Sequence, residues 1–133
     1  MLLDARETRM RKRRIYIVDD EELIARSLAV IFEESGYETE YFIRPAALLE
    51  AANTQPPDVL VSDYAMPELS GIELARSLFK LCPSCRIFLV SATELSLIEA
   101  GAANAPTPNF RFFGKPIQVS QLLDAVANAL HAV

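Results

Sequence analysis

Apolar positions follow two alternating rhythms along the chain. A short unbroken run at residues 15–18 ends in acids, and the stretch after it places Ile24, Leu28, Ile31 and Phe32 on one helical stripe, with Gly36 as its stop. Residues 37–43 alternate as a strand would. Residues 44–52 suit a short helix, with Pro45 tolerated in the first turn. Residues 58–63, "DVLVSD", form a second continuous apolar run, and Ser70 then caps a helix carrying Ile72, Leu74, Leu78 and Leu81. Residues 86–92, "RIFLVSA", read as another strand. A weaker helical stretch near 94–103 precedes a short "RFF", and the chain closes on a stripe of Val119, Leu122, Leu123, Val126 and Leu130.

This is β-α repeated five times, which predicts an α/β fold: a parallel sheet with helices on both faces. Strands buried on both faces read as unbroken apolar runs, and three of the five do. Right-handed crossovers leave few topologies, and ligands bind beyond the carboxyl ends of the strands where the winding reverses.

The 133 residues suit one domain with a sizeable core. No apolar run approaches the ~20 residues of a membrane span. The opening "MLLDARETRMRKRR" lacks the apolar segment of a signal peptide. A cytoplasmic location is the expectation. Charge is uneven: residues 1–14 carry six Arg or Lys against two acids, whereas the remainder carries seven against sixteen. Residues 1–14 therefore read as a basic N-terminal extension, a solvated lead-in with Met10 as an alternative start, and residues 15–133 as the domain. The acidic body argues against direct nucleic-acid binding.

The candidate chemistry sits just past the strands: Asp19 and Asp20 after the first, Asp63 after the third, Ser91 after the fourth and Lys115 after the fifth. A single strand-end aspartate more often caps the next helix; the convergence changes that reading. In a 2-1-3-4-5 strand order the first and third strands are neighbours, so three carboxylates crowd one crevice. Crowded anions repel, and either one acid takes up a proton or a cation binds. An all-oxygen ligand set with room for waters and a phosphate suits Mg²⁺ better than Ca²⁺. An ammonium at Lys115 and a hydroxyl at Ser91 can hold the oxygens of a tetrahedral anion, and the carboxylate on the crevice floor can accept a phosphoryl group as an acyl phosphate.

With "IVDDE" (17–21), "LVSDYAMPELSG" (60–71), "LVSA" (89–92) and "FFGKP" (112–116) in this order, the sequence from residue 15 onward resembles the receiver domain of bacterial two-component response regulators. The resemblance implies a flavodoxin-like, five-stranded parallel sheet in the order 2-1-3-4-5. It implies that Asp63 is the phosphoacceptor and that Asp20, Asp63 and the backbone carbonyl of Ala65 hold Mg²⁺, with Asp19 acting through water. Lys115 would pair with the phosphoryl group, Pro116 matches a proline often cis in the family, and Ser91 and Phe112 would form the conformational switch. The implied donor is a sensor histidine kinase or a histidine phosphotransfer protein. Output would pass to a protein partner or a missing output domain, with a homodimer possible. Too few residues follow Pro116 for a DNA-binding module. Such a domain is a signalling switch rather than a turnover enzyme; the alternative is a receiver-like interaction module that is not phosphorylated.

Two features depart from the family pattern. Ala65 and Thr93 stand at positions that influence water attack on the acyl phosphate, and a methyl group at Ala65 cannot hold a water. Pro106 and Pro108 predict an early end to the fourth helix and an irregular loop at 104–109, on a face commonly used for partners.

Other motifs have plainer readings. "CPSC", Cys82 to Cys85, closes a helix instead of opening one, so it lacks the dipole that activates a thioredoxin-like thiol and reads as ordinary loop cysteines, a thiol redox protein being the rival. Zinc would need ligands that His131, the sole histidine, cannot complete. His131 suits the last turn of a helix, and Glu21 and Glu22 the first turn of one.

Overall fold

The structure is a computed structural model, and it describes residues 12–92 and 110–131. Five strands, β1 (Arg14–Val18), β2 (Glu38–Phe42), β3 (Val59–Asp63), β4 (Arg86–Ser91) and β5 (Phe110–Gly114), form one parallel sheet in the order β2-β1-β3-β4-β5. The described helices are α1 (Glu22–Glu34), α2 (Pro45–Thr54), α3 (Gly71–Leu81) and α4 (Val119–His131). This is the expected doubly wound, flavodoxin-like α/β architecture. The helix expected near 94–103, the loop at 104–109 and Thr93 lie outside the described residues.

The strands show why an unbroken apolar run was required. In β1, Ile15 and Ile17 enter one hydrophobic layer with α1 and α4, while Tyr16 and Val18 enter the other with α2 and α3. Side chains alternate between faces, and both faces are covered, so no position can be polar at low cost. β3 repeats this, with Val59 and Val61 on one side and Leu60 on the other.

The helices sharpen the sequence expectations. α1 buries Ala25, Leu28, Ala29 and Phe32; the small alanines let the helix approach the sheet, and Ile24 packs at the edge. Gly36 follows α1 with φ near 100°, a conformation that favours glycine. Pro45 stands at the start of α2, as expected. In α3, Leu74, Ala75 and Leu78 are buried, and Leu81, the last helical residue, is 43% exposed. The helix ends there.

Arg14, assigned by sequence to the basic lead-in, is the first residue of β1. Its backbone N–H donates to Asp58 Oδ2 at 2.7 Å, and its guanidinium donates to the Pro56 carbonyl at 3.2 Å. One of the four clustered cations thus belongs to the sheet rather than to a solvated arm.

Candidate functional site

The site is assembled by strand register. Val18 pairs with Ser62, so the next residues of the neighbouring strands, Asp19 and Asp63, emerge side by side at the carboxyl edge. Asp19, Asp20 and Asp63 each offer a carboxylate oxygen, and these atoms lie within 4.8 Å of one another. β5 reaches the same edge: Ser91 pairs with Gly114, and the backbone N–H of Lys115 donates to the Ser91 carbonyl at 2.8 Å. From there Lys115 Nζ reaches Asp63 Oδ1 at 3.0 Å and approaches Asp19 Oδ2 at 4.0 Å. The Lys115–Pro116 peptide is cis.

The electrostatics follow from three acids facing one ammonium. Asp19 is 4% exposed, and its carboxyl is pushed up from the ordinary 3.8 to about 6. Loss of water is the main cause; repulsion from Asp63 and Asp20 adds to it, and the Glu21 backbone N–H and Lys115 oppose it. That N–H donates to Asp19 Oδ1 at 2.9 Å and orients the carboxylate. For Lys115, burial works against the charged form, but the hydrogen bond and charge of Asp63, with Asp19 and Glu21 behind it, outweigh that and raise its pKa. The acid pocket therefore retains uncompensated negative charge, and a compact all-oxygen donor set of this kind fits a small hard divalent cation such as Mg²⁺.

The loop after β3 closes the floor. The backbone N–H of Tyr64 donates to the Val90 carbonyl and that of Gly71 to the Tyr64 carbonyl, both at 2.8 Å. This folds the start of α3 back onto Asp63. A Cβ at Gly71 would stand 2.6 Å from the Asp63 carbonyl oxygen and 3.1 Å from the Tyr64 Cα. Gly71 went unremarked as a site residue in the sequence; a glycine placed directly after a helix cap, where it costs helix propensity, was the available signal. Ser70, not an aspartate, caps α3. Its hydroxyl accepts from the Glu73 N–H at 3.2 Å while the Glu73 carboxylate accepts from the Ser70 N–H at 3.1 Å.

The other candidates are placed as follows. Ser91 is buried at the end of β4, between the strands that bring Asp63 and Lys115. Phe112 is half-buried in β5, its ring 5.3 Å from Phe110 and 6.0 Å from Tyr64, the residue next to Asp63. Ala65 is exposed on the loop two residues past Asp63. Glu21 and Glu22 sit at the start of α1, and Glu22 accepts a hydrogen bond from Tyr41 at 3.1 Å. His131 occupies the last turn of α4 and is exposed. Cys82 and Cys85 lie in the turn before β4, at the other end of the sheet.

Known proteins share this pattern. The profile of the response regulator receiver domain matches residues 15–127. The chain is 30% identical over 117 residues to the chemotaxis protein CheY of Thermotoga maritima, covering 86% of this chain and 94% of that one. It is 34% identical over 83 residues to the transcriptional regulatory protein CreB of Escherichia coli, covering 62% of this chain and 36% of CreB. The chain thus spans about a third of CreB but nearly all of CheY. Among solved structures, a CheY-like receiver domain protein from Methanospirillum hungatei superposes with a TM-score of 0.78 at 26% identity, over 90% of this chain and 94% of that one. With its strand order, its edge of three aspartates and the lysine that faces them, this chain belongs to the response regulator receiver domain family.

Proposed function

We propose that this chain takes a phosphoryl group from the phosphohistidine of a sensor histidine kinase or a histidine phosphotransfer protein onto Asp63, with Mg²⁺ required. One observation carries the reading: Asp63 is the carboxylate that lies both against Lys115, at 3.0 Å, and within 4.8 Å of the oxygens of Asp19 and Asp20. A nucleophile in that position has two further carboxylates and an ammonium as neighbours.

In the reaction the N–P bond of a phosphohistidine protonated at its other ring nitrogen breaks and a bond forms from an Asp63 carboxylate oxygen to phosphorus, so that the histidine departs as neutral imidazole. Asp63 attacks as the anion, with no proton to lose. Lys115 gives up its pairing with Asp63 and follows the negative charge onto the phosphoryl oxygens. Asp20, Asp63 and the Ala65 carbonyl would hold Mg²⁺, with Asp19 acting through water. The ion would supply charge neutralisation for the transferring group. The Ser91 hydroxyl would donate to a phosphoryl oxygen, and Phe112 would turn inward as Ser91 moves, biasing a two-state equilibrium.

The output is a contact made by the switched state, with a protein partner, a further domain or a second copy of the chain. The domain is a switch that takes part in its own phosphorylation and dephosphorylation. Among the described residues no helix is long and apolar enough to cross a membrane, and a cytoplasmic site of action, with no direct nucleic-acid contact by this domain, fits the reading.

Incubation with acetyl phosphate and Mg²⁺, followed by intact mass, tests the proposal. The chain should gain one phosphoryl mass, and Asp63→Asn or chelation of the metal should abolish the gain. A natural chain that gains nothing while remaining folded would favour a receiver-like interaction module.

A further inference from the structure

The "CPSC" turn is left unused by the phosphoryl chemistry. It joins α3 to β4 at the amino edge of the sheet, opposite the acids. The backbone N–H of Cys85 donates to the Cys82 carbonyl at 3.1 Å, closing a four-residue turn with Pro83 in its second position. Such a turn holds its end Cα atoms within about 7 Å, and a disulfide asks for roughly 4.4–6.8 Å. Both side chains belong to the same hydrophobic layer. Their Sγ atoms make long contacts to backbone carbonyls, Cys82 to Pro57 and Cys85 to Arg86, each at 3.6 Å. Thiols are weak donors, so releasing both costs little.

The two thiols differ in access. Cys82 is half-buried and reachable, whereas Cys85 is 1% exposed. Burial, reinforced by Cys82 and Asp58 nearby, pushes the Cys85 thiol far up. Cys85 is therefore the sheltered thiol of the pair and Cys82 the one that solvent reaches.

We propose that Cys82 and Cys85 are a modification site that closes reversibly into an intramolecular disulfide, with a small-molecule disulfide of the glutathione class as oxidant. Cys82 meets the oxidant first. Its thiol proton is lost to solvent, its sulfur bonds to one sulfur of glutathione disulfide, and one glutathione thiolate departs. Cys85 then loses its proton, its thiolate bonds to Cys82 Sγ, and the second glutathione departs as a thiolate that takes up that proton. Two protein thiols are oxidised and one disulfide is reduced to two thiols. The pair follows the C-terminal end of a helix, so this is a modified site and not an oxidoreductase centre.

The full chain, folded and reduced, is brought to equilibrium with excess glutathione disulfide, quenched in acid, alkylated with N-ethylmaleimide under denaturing conditions and weighed without reductant. The natural chain should lose two hydrogens and take up no maleimide, and dithiothreitol should restore both thiols. Cys85→Ser should halt at one glutathione adduct. Cys85→Ala, which keeps the buried place apolar, gives the same readout if the serine disturbs folding. Cys82→Ser should take up no glutathione while folded. A natural chain that keeps both thiols open to maleimide, accumulates a stable glutathione adduct, or forms only disulfide-linked dimers would overturn the proposal.

Discussion

Lys115 Nζ lies 3.0 Å from Asp63 Oδ1, so a residue just past β5 grips the last residue of β3 across the end of β4. The grip depends on the sheet. β4 separates the two strands, its last residue Ser91 accepts the Lys115 N–H, and the side chain spans the remaining gap.

Removing that ammonium should cost activity more than fold. With Lys115→Met, phosphoryl uptake from acetyl phosphate should slow by about 10²-fold or more, the range seen when one preorganised charge stabiliser is lost. A time course of intact mass reads this directly. An unchanged rate would mean that Lys115 serves only to balance the acids.

Metal-free stability should carry the signature of Asp19. Its folded value, about 6, lies above the ordinary 3.8. The folded state therefore binds this proton more tightly than the unfolded chain does. The stability it contributes is fully present below about 4 and is lost as pH rises through 6. In EDTA, the natural chain should gain more in thermal midpoint between pH 7.5 and pH 5 than Asp19→Asn does. Equal pH slopes in the two proteins would contradict this. At pH 7.5, Mg²⁺ should raise the midpoint of the natural chain, since a ligand bound only by the folded state stabilises it.

Gly71 should not tolerate a methyl group. The added Cβ would stand 2.6 Å from a backbone carbonyl oxygen, which cannot swing aside as a side-chain tip could. Gly71→Ala should cost about 1–3 kcal/mol in urea unfolding, against the small gain alanine gives at an open helix position. A stabilised variant would show that the approach at Asp63 is looser than described.

The α3 cap offers a test far simpler than the site. Ser70→Ala should cost about 1 kcal/mol. The Glu73 carboxyl is held below its ordinary value, chiefly by the Ser70 backbone N–H and hydroxyl. Its contribution is present above the unfolded glutamate pKa and lost as pH falls, so the deficit of Ser70→Ala should shrink in acid. Chemical denaturation at pH 7 and pH 3.5 compares the two.

Much of the site was legible because its parts lie at strand ends, and strand ends are written in one dimension. An apolar run that stops on Asp19, Asp63 or Ser91 marks both the strand and its tip. Gly71 was not legible as part of the floor, because its neighbour, the Asp63 carbonyl, is brought there by a loop that folds back. The exposure of Leu81 was not legible, because helix periodicity cannot say where the cover over a helix end stops. Arg14 looked like one more cation in a basic cluster until its N–H met Asp58 on the neighbouring segment.

By itself, then, the order of residues determined that strands and helices alternate, that three of the strands are covered on both sides, and that acids, a hydroxyl and an amine stand at the tips. Hydrophobic periodicity is local, and a few neighbouring residues suffice to express it. Only the folded sheet decided which of those groups meet, how far Asp19 is driven toward holding its proton, and that a glycine must lie on Asp63. Distances and desolvation belong to pairs of residues remote in the chain, and no local pattern records them.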